Sequence, residues 1–147
     1  MKFRNYQQKI IEKSREVIQK YGFIYLAMEV RTGKTLTALG IARACGFRNV
    51  VFLTKKKAIS SIQADYEMLN PNYKFNVVNY ESMHKLEIGR CDFLILDEAH
   101  GMGAFPKPSK RAKDVRNFIR KYNSCVCLMS GTPTPESYSQ MQKTFHQ

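Results

Sequence analysis

Five short apolar runs alternate with stretches of helical periodicity along this chain, and that alternation limits the folds open to it more than any other feature. The runs fall at 23–28, 50–54, 75–79, 93–97 and 125–130, with helical spacing near 34–45, 57–69, 110–122 and 135–145. A run apolar on both faces suits a strand buried on both sides, and the intervening helices supply the crossovers that parallel strands require. The sequence therefore predicts an α/β domain with a mainly parallel sheet and helices on both faces. A further helix is expected over 5–20, where Tyr6, Ile10, Val17, Ile18 and Tyr21 recur at helical spacing before Gly22. The 147 residues hold one domain with a real core, and a second domain does not fit within residues 1–147. In a sheet of this kind the ligand belongs at the carboxyl ends of the strands.

Two of the runs end in chemistry. Phe23-Ile24-Tyr25-Leu26-Ala27-Met28 leads into Arg31-Thr32-Gly33-Lys34-Thr35, and a helix follows from Leu36. Strand, loop and helix in that order present backbone N–H groups and the positive end of a helix dipole to an anion. Arg31 to Thr35 read as the phosphate end of a P-loop. Gly33 permits close backbone approach, Lys34 reaches the β- and γ-phosphates of ATP, and Thr35 offers a hydroxyl to magnesium. The first glycine of G-x-x-x-x-G-K-[ST] would fall at position 28, where Met28 stands. An ordinary strand-to-helix turn containing Gly-Lys-Thr is the alternative.

The second run, Cys91-Asp92-Phe93-Leu94-Ile95-Leu96, delivers Asp97-Glu98-Ala99-His100. Adjacent carboxylates after a buried strand are costly unless something positive or hydrogen-bonding meets them. In a P-loop enzyme magnesium meets them: Asp97 holds the ion and Glu98 takes the proton of the water that attacks the γ-phosphate. The alternative is a helix N-terminus, where acidic residues are favoured for dipole reasons alone. The order and separation of the two features favour the nucleotide reading.

Twenty-four Lys and Arg against twelve Asp and Glu give a net charge of +12. Solubility needs less, and the excess points to a polyanion such as nucleic acid. Lys55-Lys56-Lys57 begin a helical segment at a strand's carboxyl end, where cations oppose the local dipole, so an anionic phosphate backbone explains them better than solvation. In 110–122, Ala112, Val115, Phe118, Ile119 and Tyr122 share one arc and Lys110, Lys113, Arg116, Arg120 and Lys121 the other; a solvated basic face and a nucleic-acid face explain this equally well. No run approaches the length of a membrane span and no signal peptide begins the chain, so a soluble cytoplasmic protein is expected. Cys45, Cys91, Cys125 and Cys127 lack metal or disulfide spacing and read as small buried hydrophobes.

Taken in order, Tyr6-Gln7, Gly33-Lys34-Thr35, Thr54-Lys55-Lys56-Lys57, Asn79-Tyr80-Glu81-Ser82, Asp97-Glu98-Ala99-His100 and Ser130-Gly131-Thr132-Pro133 resemble the first RecA-like domain of a superfamily-2 helicase. The chain is most similar to the Swi/Snf-like branch as found in phage genomes, and the resemblance covers essentially all of it. It implies a three-layer RecA-like fold and an ATP-dependent, nucleic-acid-stimulated motor, with DNA favoured over RNA and, if phage-encoded, work in the host cytoplasm. By that similarity Gln7 reads adenine, and Lys55 to Lys57 with Asn79 and Tyr80 face the nucleic-acid path. Ser130 and Thr132 couple hydrolysis to domain movement, and His100 links the ATP site to them. Arg31 stands where the branch commonly has glycine. The second RecA-like domain, which supplies arginine fingers, is not within 1–147, so weak hydrolysis is expected of this domain alone.

Two rivals remain at this stage. A non-catalytic nucleotide- and nucleic-acid-binding module would keep the motifs without turnover. A small P-loop kinase would need a lid, for which only 101–111 is available, and would have no use for Ser130-Gly131-Thr132-Pro133.

Overall fold

The computed structural model describes residues 3–27, 33–97 and 110–130. It begins with helix α1 (Asn5–Tyr21), which Gly22 closes at φ 71°, in the left-handed region that glycine enters without a steric penalty. Then come β1 (Phe23–Ala27), α2 (Lys34–Cys45), β2 (Asn49–Thr54), α3 (Ile59–Leu69), β3 (Lys74–Asn79), β4 (Phe93–Leu96), α4 (Lys110–Tyr122) and β5 (Cys125–Ser130). The five strands form one parallel sheet in the order β1-β5-β4-β2-β3. All five lie where the apolar runs put them.

Alternation along the strands divides the core into two layers. Val50 and Phe52 of β2, Phe93 and Ile95 of β4, and Cys127 and Met129 of β5 pack beneath α1, α2 and α3. Val51 and Leu53, Leu94 and Leu96, and Val126 and Leu128 face the other way, against Ala112 and Val115 of α4 and against Tyr80 and Met83. The expected arc of α4 holds: Ala112 and Val115 are buried, with Phe118, Ile119 and Tyr122 packed partly against them.

The face of α1 needs correction. Gln7, Ile11, Ser14 and Ile18 are buried, whereas Tyr6 and Tyr21 are exposed. Close approach to α2 explains this. A β-carbon on Gly40 would lie 2.6 Å from the Phe3 ring and 2.8 Å from Ile11 Cδ1, so Phe3 and Ile11 already fill the seam over Gly40 and leave no room there for Tyr6 or Tyr21. The expected helix over 57–69 begins with a 3₁₀ turn, Lys56–Ala58, and a second such turn, Tyr80–Lys85, follows β3. The helix expected over 135–145 and most of the 101–110 loop lie outside the described residues.

Parallel register brings every strand's carboxyl end to one edge. Ala27 pairs with Ser130, Thr54 with Asn79, and Leu53 with Leu96, which sets Thr54 and Asp97 side by side.

Candidate active site

Helix α2 opens on Gly33, at φ 74° and ψ 37°, and Lys34 is its first residue. The Gly33 carbonyl accepts hydrogen bonds from the Thr37 N–H (3.0 Å) and the Thr37 hydroxyl (2.9 Å). It also accepts one from Gln7 Nε2 (3.4 Å), which reaches Thr37 Oγ1 as well (3.3 Å). Glycine is required here twice over, since a β-carbon would sit 2.7 Å from Gln7 Nε2 at a backbone angle that L side chains avoid.

No acidic residue occupies the first turn of α2. Lys34 instead places a cation at the positive end of the helix, 6% exposed, which is unfavourable both by dipole and by desolvation. Asp97, equally buried, offsets this: its Oδ1 lies 3.3 Å from Lys34 Nζ. The other carboxylate oxygen accepts a 2.9 Å hydrogen bond from the hydroxyl of fully buried Thr54. The Asp97 N–H donates to the Leu53 carbonyl (2.9 Å), and its own carbonyl accepts a 2.6 Å bond from the Tyr80 hydroxyl. Four elements thus fix one carboxylate against one ammonium at the sheet edge.

A model of the type III restriction enzyme res subunit matches residues 1–87, more than half of the chain. The chain belongs to the type III restriction enzyme res-subunit family. Its fold is the RecA-like fold of superfamily-2 helicase cores, and the res family is one of helicase-type ATPase domains. It is similar to the Sulfolobus solfataricus SWI2/SNF2 ATPase core in complex with dsDNA (TM-score 0.71, 14% identity, 97% of this chain and 35% of that one). It is similar also to the Pyrococcus furiosus Hef helicase domain (TM-score 0.72, 15% identity, 98% and 36%). A third match is a nuclease-deletion mutant of the Type ISP restriction-modification enzyme LlaGI in complex with a DNA substrate mimic (TM-score 0.68, 17% identity, 90% and 18%). The res-family chain spans about a third or less of the length of these structures. No curated protein sequence matches it significantly.

The remaining expected site residues of this res-family chain fall in several places. Thr35 is half-buried in the first turn of α2, and Lys55, Lys56 and Lys57 are all exposed just beyond β2. Asn79 ends β3 and donates to Glu81 Oε2 (3.0 Å). Ser130 ends β5 beside Ala27. Arg31, Thr32, Glu98, His100 and Thr132 lie outside the described residues.

Two expected residues are engaged differently from the expectation. Tyr80, expected to face the nucleic-acid path, turns inward because its hydroxyl finds the Asp97 carbonyl and its ring finds Met83 and α4. The Gln7 amide, expected to read adenine, is buried with its NH₂ on Gly33 and Thr37, while Oε1 accepts the Arg4 N–H (3.1 Å). Sequence reasoning missed Thr54 as a site residue. The available signal was a hydroxyl ending an otherwise apolar run, beside the strand that ends in Asp97.

Beyond Tyr80, Arg111 stacks over its ring at 4.5 Å and pairs with Glu81 at 3.0 Å. Hydrogen bonds from Asn79 and from its own backbone, together with Arg111, hold the Glu81 carboxyl below the usual carboxylate range. Among the described residues no three His, Cys, Asp or Glu side chains assemble into a metal cluster, and no helix is long and apolar enough to cross a membrane.

Proposed function

We propose that this chain binds ATP with magnesium at the carboxyl edge of its sheet and is one RecA-like domain of a nucleic-acid-dependent ATPase motor. The observation that carries this reading is the buried Lys34–Asp97 pair, joined at 3.3 Å from two distant motifs. A buried ion pair is weak evidence of stability, since apolar residues would fill the same space at less cost. A phosphate ligand explains a cation at a helix N-terminus, and a cation ligand explains the carboxylate beside it.

The donor chemistry suits magnesium. Asp97 and Thr35 offer hard oxygen ligands, and magnesium takes one or two protein groups plus phosphate oxygens rather than a full protein cage. When bound, the ion neutralises charge on the β- and γ-phosphates. Lys34 and the first-turn N–H groups of α2 bind those phosphates, with Arg31 and Thr32 completing the loop. Thr54 keeps Asp97 aimed by occupying its second oxygen, and Glu98 accepts the proton of the attacking water. Gln7 braces the phosphate loop by donating to the Gly33 carbonyl. Lys55 to Lys57 and Asn79 contact a phosphate backbone, and the DNA in two of the matched structures favours DNA as that polyanion. Ser130, Thr132 and His100 transmit hydrolysis to domain movement.

Residues 1–147 form the single ATP-binding domain in this reading, and a second RecA-like domain completes the motor. Calorimetric titration of ATP with magnesium tests the reading. Glu98→Gln should keep binding while losing hydrolysis, because an amide orients water without taking its proton. Asp97→Asn should lose the magnesium dependence of binding. Equal loss of binding in both variants would overturn the division of roles.

A further inference from the structure

The Tyr80 hydroxyl donates to a main-chain carbonyl, and that carbonyl belongs to Asp97. Strand β4 ends at Leu96, one residue earlier. The Asp97 N–H still finds a ladder partner in Leu53. Its carbonyl lies one residue beyond the strand and accepts a 2.6 Å bond from the Tyr80 hydroxyl. A tyrosine 7% exposed must satisfy its hydroxyl internally, so the bond is retained as long as the ring stays seated. The ring is held on both sides: the second core layer packs beneath it, and the Arg111 guanidinium covers it at 4.5 Å, itself held by Glu81 at 3.0 Å.

We infer that Tyr80 is a positioning residue for the carboxylate of Asp97, acting through the peptide plane that joins Asp97 to the next residue. The inference rests on the reading of Asp97 as the magnesium ligand. The carbonyl direction is set by the ψ angle of Asp97, so holding the carbonyl limits that angle. Thr54 and Lys34 set where the carboxylate points, and Tyr80 sets the backbone from which it projects. Tyr80 therefore serves the nucleotide site from beneath.

The test is the magnesium dependence of nucleotide binding, followed with a fluorescent ATP analogue on the full chain as wild type, Tyr80→Phe and Asp97→Asn. Phenylalanine keeps the ring and its packing and removes only the hydroxyl. The magnesium concentration for half-maximal binding should rise about two- to tenfold in Tyr80→Phe, the range one hydrogen bond spans, with magnesium-free binding unchanged. A merely structural role would weaken binding equally with and without magnesium, and that result, or no change, would overturn the assignment provided Asp97→Asn has lost its magnesium dependence. Wild-type dependence in Asp97→Asn would instead overturn the metal reading on which the assignment stands.

Discussion

Lys34 and Asp97 show how one contact serves two ends. Each alone would be a buried charge at a cost of several kcal/mol, and together they are tolerated at 3.3 Å with Thr54 completing the carboxylate. Lys34→Ala should therefore act on the protein in two ways. Loss of a charge-assisted phosphate contact should weaken ATP binding by about 1.5–3 kcal/mol. Loss of the partner of a buried carboxylate should lower folding stability by about 3 kcal/mol. Calorimetry and urea denaturation of the same variant measure the two effects separately, and full stability in the variant would mean that Asp97 needs no cation. A second residue-scale consequence concerns the thiols. Burial first, with Cys125 nearby, pushes Cys45 up to about 11 from 9.0, and burial likewise pushes Cys91 up to about 11. The unfolded chain then releases thiol protons near pH 9 while the folded one retains them, so this stabilisation is complete below pH 9 and is lost as pH rises toward 11. Thermal unfolding of wild type and Cys91→Ala between those limits should show a shallower decline in the variant, and parallel curves would contradict it.

At the scale of elements, the strands were legible because each is a short apolar run, buried on both faces, between helical stretches. The helix faces were less so. Tyr6 and Tyr21 fit a helical repeat as well as Ile11 and Ile18 do, and what turns the helix is the narrow gap over Gly40, a tertiary fact that hydrophobic spacing does not encode. Lys34, Asp97 and Gly33 were readable because motif order announces them, whereas Thr54 and the inward turn of Tyr80 depend on which strands become neighbours. The Gly40 contact gives a prediction of its own. Alanine there gains about 1 kcal/mol of helix propensity. Its methyl must also displace the Phe3 ring, buried in the core beneath Arg43, and Ile11, and such overpacking costs about 1–3 kcal/mol. Gly40→Ala should lower the denaturation midpoint, and a raised midpoint would show that Phe3 yields freely.

The molecule as a whole carries twice as many basic as acidic side chains, 24 against 12, and its charge is unevenly used. Lys34 and Arg111 already have carboxylate partners within the fold, at 3.3 and 3.0 Å. Lys55, Lys56 and Lys57 stand exposed at the same sheet edge as the proposed nucleotide site, where a polyanion bound to them would lie close to Thr54 and Asp97. On α4 the basic residues flank an arc committed to the second core layer, so that helix keeps its packing whether or not its outer face binds anything. The two sites should therefore separate experimentally. If Lys55 to Lys57 contact phosphates, each contact releases condensed counterions, and log affinity falls with log salt by about 0.9 per phosphate neutralised on duplex DNA. Replacing all three by alanine should flatten that slope by about 2–3 and weaken binding equally for every sequence, because phosphate contacts read no bases. Replacing Lys113, Arg120 and Lys121 on α4 should leave the slope unchanged if that face is only solvated. Fluorescence anisotropy of a labelled duplex across a salt series measures both variants. A slope untouched by the first replacement and flattened by the second would move the nucleic-acid path from the carboxyl edge of the sheet to α4.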